Sequence, residues 1–170
     1  MRHINYLKFI IRHKWFVFTA CLKCGVPFWR AVIHDWHKFL PDEWFAYANT
    51  FYTWDGEKQY VQSRDFPAAW NRHQKRGKHH WQYWLITWDK GTTEPLDMPL
   101  VYVKEMIADW WGAGRVITGN WDAKTWYESN KTKITLTDHT RSQVEELLQQ
   151  SSLKFETPEL IAIRRRILGH

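Results

Sequence analysis

Two cysteines are too few for a zinc module or a disulfide framework. They stand as Cys21-x-x-Cys24, without the second Cys or His pair that four zinc ligands require. At the end of a helix they read as buried reduced thiols, which fits a reducing compartment. No apolar run approaches the ~20 residues needed to span a bilayer. The N-terminal apolar stretch carries His13 and Lys14, so no signal peptide is expected either. Repeats, low-complexity tracts and convincing linkers are also missing. The expectation is one domain over 1–170, with a core in 3–130 and packing or oligomerisation helices in 137–168.

Tryptophan is what the chain has in abundance, 13 of 170 residues. Indoles bury large areas, so most are expected in the core, with others free to line a deep pocket. The net charge of +6, histidine taken as neutral, favours anionic partners. Basic residues run the length of the chain, with clusters at Arg72, Lys75, Arg76 and Lys78 and at Arg164, Arg165 and Arg166.

The hydrophobic spacing predicts an all-α chain. Residues 3–24 form an amphipathic helix, with Tyr6, Ile10, Val17 and Cys24 on one stripe, His13 within it, and Gly25 as the stop. Pro27 opens a second helix to about residue 38. Pro41 opens a third to about residue 53, with Asp42 and Glu43 at its positive end. Residues 57–65 are a polar loop. Pro67 starts a helix to about residue 75, and Gly77 breaks it. Residues 79–88 read as a helical turn passing into an extended piece, with a small hairpin near 86–98. Pro99 opens a helix to about residue 111, ended by Gly112-Ala113-Gly114. Asn120 or Asp122 caps a short helix through Tyr127. Thr137 or Asp138 caps one through about residue 150, and Thr157 caps one over 158–168.

Three polar knots interrupt this aromatic chain: His34-Asp35-Trp36-His37-Lys38, the stretch from His73 to His80, and Glu105 with Asp109. At 100° per residue, a helix would carry His34, Lys38 and Asp35 on one face and His37 at its edge. Glu105 and Asp109, four apart, stack on one face and repel unless something positive lies beside them. Asp109 reads as a metal ligand, and Glu105 as a ligand or a group that orients one. With His13, His73, His79 and His80, this donor set is rich in histidine and free of thiolate. It suits Fe, Mn, Zn, Ni or Co rather than Mg or Ca. So many N and O donors exceed one tetrahedral ion and point to two ions bridged by Asp35. Plainer readings exist for each residue: a core histidine at His13, an anion patch at His79-His80, ion pairs of Glu105 and Asp109 with Arg30 or Arg115. The joint occurrence of the three knots favours a metal centre.

In their order, these residues resemble the HD-domain phosphohydrolases, all-helical enzymes whose ligands run H…HD…D. His13, His34-Asp35 and Asp109 follow that pattern. The branch with the HD-GYP signature has H-D-x-x-K, a lone His, then a His-His pair, as do His34 to Lys38, His73 and His79-His80 here. A di-iron inositol oxygenase shares the scaffold. Here His79 follows His73 by only six positions, tighter than in that branch, and no Gly-Tyr-Pro follows the pair. Cyclic-dinucleotide specificity therefore does not carry over. The chain is also similar to a family of small phage and bacterial proteins with no established activity. They share H-D-x-x-K-F, H-H-W-x-Y-W and E-M-I-A-D-W-x-G-A-G, here His34–Phe39, His79–Trp84 and Glu105–Gly114.

Residues and resemblance together lead to one expectation. An HD-like helical bundle holds one centre of two divalent transition-metal ions on His13, His34, Asp35, His73, His79, His80, Asp109 and Glu105. The centre hydrolyses a nucleotide, cyclic nucleotide or related phosphoester, with Asp35 and Lys38 catalytic. Arg115 leads the expected phosphate contacts, followed by Arg72, Lys75, Arg76 and Lys78, and Trp36, Trp81 or Trp84 stacks on a base. The alternatives are a non-haem di-iron oxygenase and a non-enzymatic binder of nucleotide or nucleic acid. No membrane partner is expected. A homo-oligomer is allowed, and the expected location is the cytoplasm, that of the host if the protein is phage-encoded.

Overall fold

The structure is a computed structural model in which residues 1–150 are described. They form seven α-helices and one hairpin. The helices are α1 (Arg2–Lys23), α2 (Phe28–Ile33), α3 (Pro41–Phe51), α4 (Phe66–Arg76), α5 (Leu100–Thr118), α6 (Ala123–Asn130) and α7 (Asp138–Gln150). After α4, a 3-10 turn over Trp81–Trp84 leads into β1 (Leu85–Thr87), which pairs antiparallel with β2 (Thr93–Pro95). The all-α class with a small hairpin is thus what the fold shows. The helix expected over 158–168 lies outside the described residues.

α1 and α5 form the principal helix pair. They approach closely at Gly112, where a Cβ would meet the Val17 backbone nitrogen at 2.6 Å. Only glycine admits that approach. This corrects the expected end of α5. Gly112 is a packing position, and α5 runs on through Ala113 and Gly114 to Thr118, with Gly119 as the left-handed cap at φ 84°.

One apolar cluster joins Tyr6 and Ile10 of α1 to Ala46 and Tyr47 of α3 and Ala69 of α4. A larger one joins Val17, Ala20 and Cys21 of α1 to Met106, Ile107 and Trp111 of α5, Tyr127 of α6 and Val144 of α7. Cys21 and Cys24 are free thiols, raised by burial above their usual pKa. His13 lies on α1 between its contributions to the two clusters, and is itself buried.

The second correction concerns α2, which ends at Ile33 rather than near residue 38. His34 leaves the helical region, at φ −46° and ψ 128°. Asp35 is left-handed, at φ 54° and ψ 26°, and a 3-10 turn over Trp36–Phe39 follows. It is the one non-glycine with positive φ among the described residues. Asp visits this region more readily than most residues. The conformation still costs on the order of 1–3 kcal/mol and persists only where its surroundings fix it. Lys14 of α1 helps fix it by donating to the carbonyl oxygens of Val32 and His34. The break removes the shared helix face expected for His34, Asp35 and Lys38. It turns His34, Asp35 and His37 inward, and all three are buried.

Candidate metal centre

Asp35 stands among the histidines. Its Oδ2 is 3.3 Å from His13 Nε2 and 3.5 Å from His34 Nε2. Asp109 Oδ1 on α5 approaches the same nitrogens, at 3.3 and 3.4 Å. Metal–ligand bonds of about 2.0–2.2 Å give tetrahedral edges of about 3.3–3.6 Å. These four nitrogen–oxygen separations match the edges around one small divalent cation. His34 Nε2 and Asp109 Oδ1 are buried without a hydrogen-bond partner. Such a state is costly unless a ligand satisfies it.

The other carboxylate oxygen, Asp35 Oδ1, faces a second set. His79 Nε2 lies at 3.3 Å, and His37 Nε2 and His73 Nε2 each at 3.9 Å. Asp35 Oδ1 and His79 Nε2 also lack hydrogen-bond partners. These buried His and carboxylate groups could hold metal, with Asp35 common to both sets.

Two glutamates hold the imidazoles from behind. Glu105 Oε1 is 3.2 Å from His34 Nδ1 and 3.5 Å from His79 Nδ1, while its Oε2 accepts from Arg30 Nη2 at 2.6 Å. Glu43 repeats the arrangement. Its Oε2 is 3.0 Å from His37 Nδ1 and 3.1 Å from His73 Nδ1, and its Oε1 accepts from Arg76 Nη1 at 2.9 Å. An ionised carboxylate only accepts, so the Nδ1 atoms of His34, His37 and His73 carry the hydrogens, and the Nε2 atoms of His34, His37 and His79 face Asp35. His80 Nε2 lies 2.8 Å from His73 Nε2 and donates to it in this tautomer.

Glu43 is the residue that sequence reasoning passed over; His37, expected only at the edge of a helix face, turns its Nε2 toward Asp35. Glu43 is 0 % exposed. It was legible as one of the buried positions Glu43, Ala46, Tyr47 and Thr50 of α3, which follow the apolar helical spacing. A carboxylate on such a stripe requires a partner.

The charges fit the geometry. Burial opposes ionisation of Asp35, but His34 and Lys38 outweigh it and hold the carboxyl well below its usual range. Lys38 Nζ is 2.6 Å from Asp35 Oδ2. Burial also opposes protonation of His34, yet Asp35, Asp109 and Glu105 together raise it to about 10, so without an ion this imidazole is a cation among carboxylates, and a metal would displace its Nε2 proton. Burial lowers His73 to about 4 and pushes His80 well below its usual value, so both imidazoles stay neutral.

A pocket of about 260 Å³ opens beside Asp35, His34 and His79, and Arg30, Arg76 and Lys78 stand in its wall. Arg30 was expected only as a partner for a carboxylate. The rest of the expected phosphate contacts lie elsewhere. Arg72 is bound to Asp42, and Lys75 donates to the Gln82 carbonyl. The Arg115 guanidinium lies over the Phe16 and Trp121 rings, 5.8 and 6.0 Å from their centres. Six residues beyond Asp109, it is about 9 Å further along α5 and turned away from it. Trp81 packs against the larger apolar cluster, while Trp36 lines the pocket.

No curated protein and no solved structure matches the chain. A family model described as "Family of unknown function (DUF5662)" matches residues 2–150, a range that includes every residue of the centre. By that match the chain belongs to the family of unknown function DUF5662.

Proposed function

We propose that the protein is a metal-dependent phosphohydrolase of the HD type, with a dinuclear centre, acting on a nucleotide or related phosphoester. The observation that carries the reading is Asp35, whose two oxygens face two separate sets of imidazoles. His13, His34, Asp35 and Asp109 would hold one ion. Asp35, His79 and His37 would hold the other, with His73 and His80 beside it. Ions so held would lower the pKa of a water and polarise phosphoryl oxygens. Lys38 keeps Asp35 charged and adds a cation beside it. Arg30, Arg76 and Lys78 suit a phosphate in the pocket, and half-exposed Trp36 offers a ring to a base. The order of the ligands, H…HD…HH…D, supports the assignment by its resemblance to the HD phosphohydrolases.

The histidine-rich donors also suit iron, which makes a di-iron oxygenase the second reading. One experiment separates them. Protein purified without added metal is analysed for metal beside His34→Ala and Asp35→Asn, then assayed with nucleotides and cyclic nucleotides. The expected result is about two ions per chain, lost in both variants, and phosphate release in the parent. Metal absent from the parent, or kept in both variants, overturns the centre. Bound iron with O2 consumption and no phosphate release overturns the hydrolase and supports the oxygenase.

A further inference from the structure

The excess positive charge is not spread evenly. Residues 1–34 contain six Lys or Arg and no Asp or Glu, so the other 18 basic residues are matched by all 18 acidic ones. The whole net charge of +6 thus lies on α1, α2 and their connection. The same segment carries a second apolar stripe, on the side of α1 away from the core. Ile4, Leu7, Ile11, Trp15 and Leu22 are exposed there, Trp15 at 62 % and Ile11 at 56 %. With half-buried Phe18 they recur at spacings of three and four, one continuous line along the helix. Trp15 stacks on Phe18, and Phe18 meets Phe28 edge-on at 5.7 Å. The line therefore continues onto α2, where Phe28, Trp29 and Val32 are exposed. Lys8 and Arg12 are exposed beside it.

We infer that this face of α1, continued by Phe28, Trp29 and Val32, docks the protein on an anionic lipid surface, with α1 lying in the interface plane. No helix of the described residues is long and apolar enough to cross a membrane. An interfacial helix needs something else: an apolar stripe with aromatic side chains and basic flanks. Tryptophan favours the boundary of headgroups and acyl chains, and anionic headgroups attract each nearby Lys and Arg. A second copy of the chain fits less well, because two such faces would bring Lys8 and Arg12 against their counterparts with no carboxylate in residues 1–34 to pair with them. Residues 151–170 carry Lys154, Arg164, Arg165 and Arg166 against Glu156 and Glu159, and so repeat the wrong sign. Nucleic acid would satisfy the cations but offers nothing to Ile4, Ile11 and Leu22.

The test is cosedimentation of the full chain with phosphatidylcholine vesicles, with and without phosphatidylglycerol. The expected result is about tenfold more bound protein on the anionic vesicles, falling as salt is raised. Ile11→Glu with Trp15→Glu, and separately Lys8→Glu with Arg12→Glu, should each abolish it. These positions are exposed, so circular dichroism and metal content should match the parent. Equal or absent binding on the two vesicles overturns the inference, as does binding that survives the Ile11 and Trp15 changes. A dimer in gel filtration that those changes convert to monomer assigns the face to a second copy instead.

Discussion

Glu43 does for His37 and His73 what Glu105 does for His34 and His79. In each case one carboxylate oxygen takes two imidazole Nδ1 atoms and the other takes an arginine. Asp35, strained into the left-handed region, sits where the four Nε2 atoms converge. Glu43→Gln should therefore matter although it removes no proposed ligand. The amide oxygen is a weaker acceptor for two imidazoles, and the amide nitrogen is a donor in a site that needs acceptors. Loss of such a partner typically weakens metal binding about 10–100-fold. Competition with a chromophoric chelator would measure it, with Asp42→Asn as the comparison. That change takes a carboxylate from Arg76 but leaves Glu43 in place, so affinity close to the parent's is expected. Equal affinity in parent and Glu43→Gln would remove the orienting role.

Among the elements, the contact of α1 with α5 decides whether the ligands meet, since α1 brings His13 and α5 brings Glu105 and Asp109. At Gly112 a Cβ would lie 2.4–2.8 Å from atoms of Val17, including its backbone, so α1 would have to move. Gly112→Ala should cost about 1–3 kcal/mol in denaturant unfolding and lower metal content with every ligand intact. Gly114→Ala meets nothing closer than 3.4 Å and should unfold no more easily than the parent. If the two variants behave alike, the close approach is not what holds the pair together. The same glycine shows where the sequence could and could not be read. Periodicity and proline positions marked α1, α3, α4 and the hairpin because those signals are local. Gly112 looked like a stop because local propensity does not register a backbone packed across it. The end of α2 was hidden for a related reason: a helical wheel through His34–Lys38 assumes right-handed dihedrals, and Asp35 does not have them. His13, His34, Asp35, His79 and Asp109, chosen from the sequence by co-occurrence, lie within 3.5 Å of one another in successive pairs. Glu43 escaped because it also suits a helix N-terminus.

Across the whole molecule, the polar centre lies between two apolar clusters, and α1 contributes to both. Metal bound there would tie α1 and α5 to the α2–α3 connection and to the residues after α4. Without it, Asp35 Oδ1, Asp109 Oδ1, His34 Nε2 and His79 Nε2 remain buried without a hydrogen bond, and buried polar groups so left destabilise the folded state. A ligand at about a thousand times its Kd, bound only by the folded chain, adds about 4 kcal/mol. For a chain of this size each kcal/mol is worth about 2–4 °C in Tm. Stripping the metal with a chelator should therefore lower Tm by about 8–16 °C, and restoring a divalent transition metal should recover it. Asp35→Asn is the control. Asn accepts the left-handed backbone at least as readily as Asp but cannot bridge two ions as an anion. Its Tm should respond little to chelator or metal. A parent Tm indifferent to chelation would mean that the buried histidines and carboxylates satisfy one another without an ion, and the centre would then be a structural hydrogen-bond network.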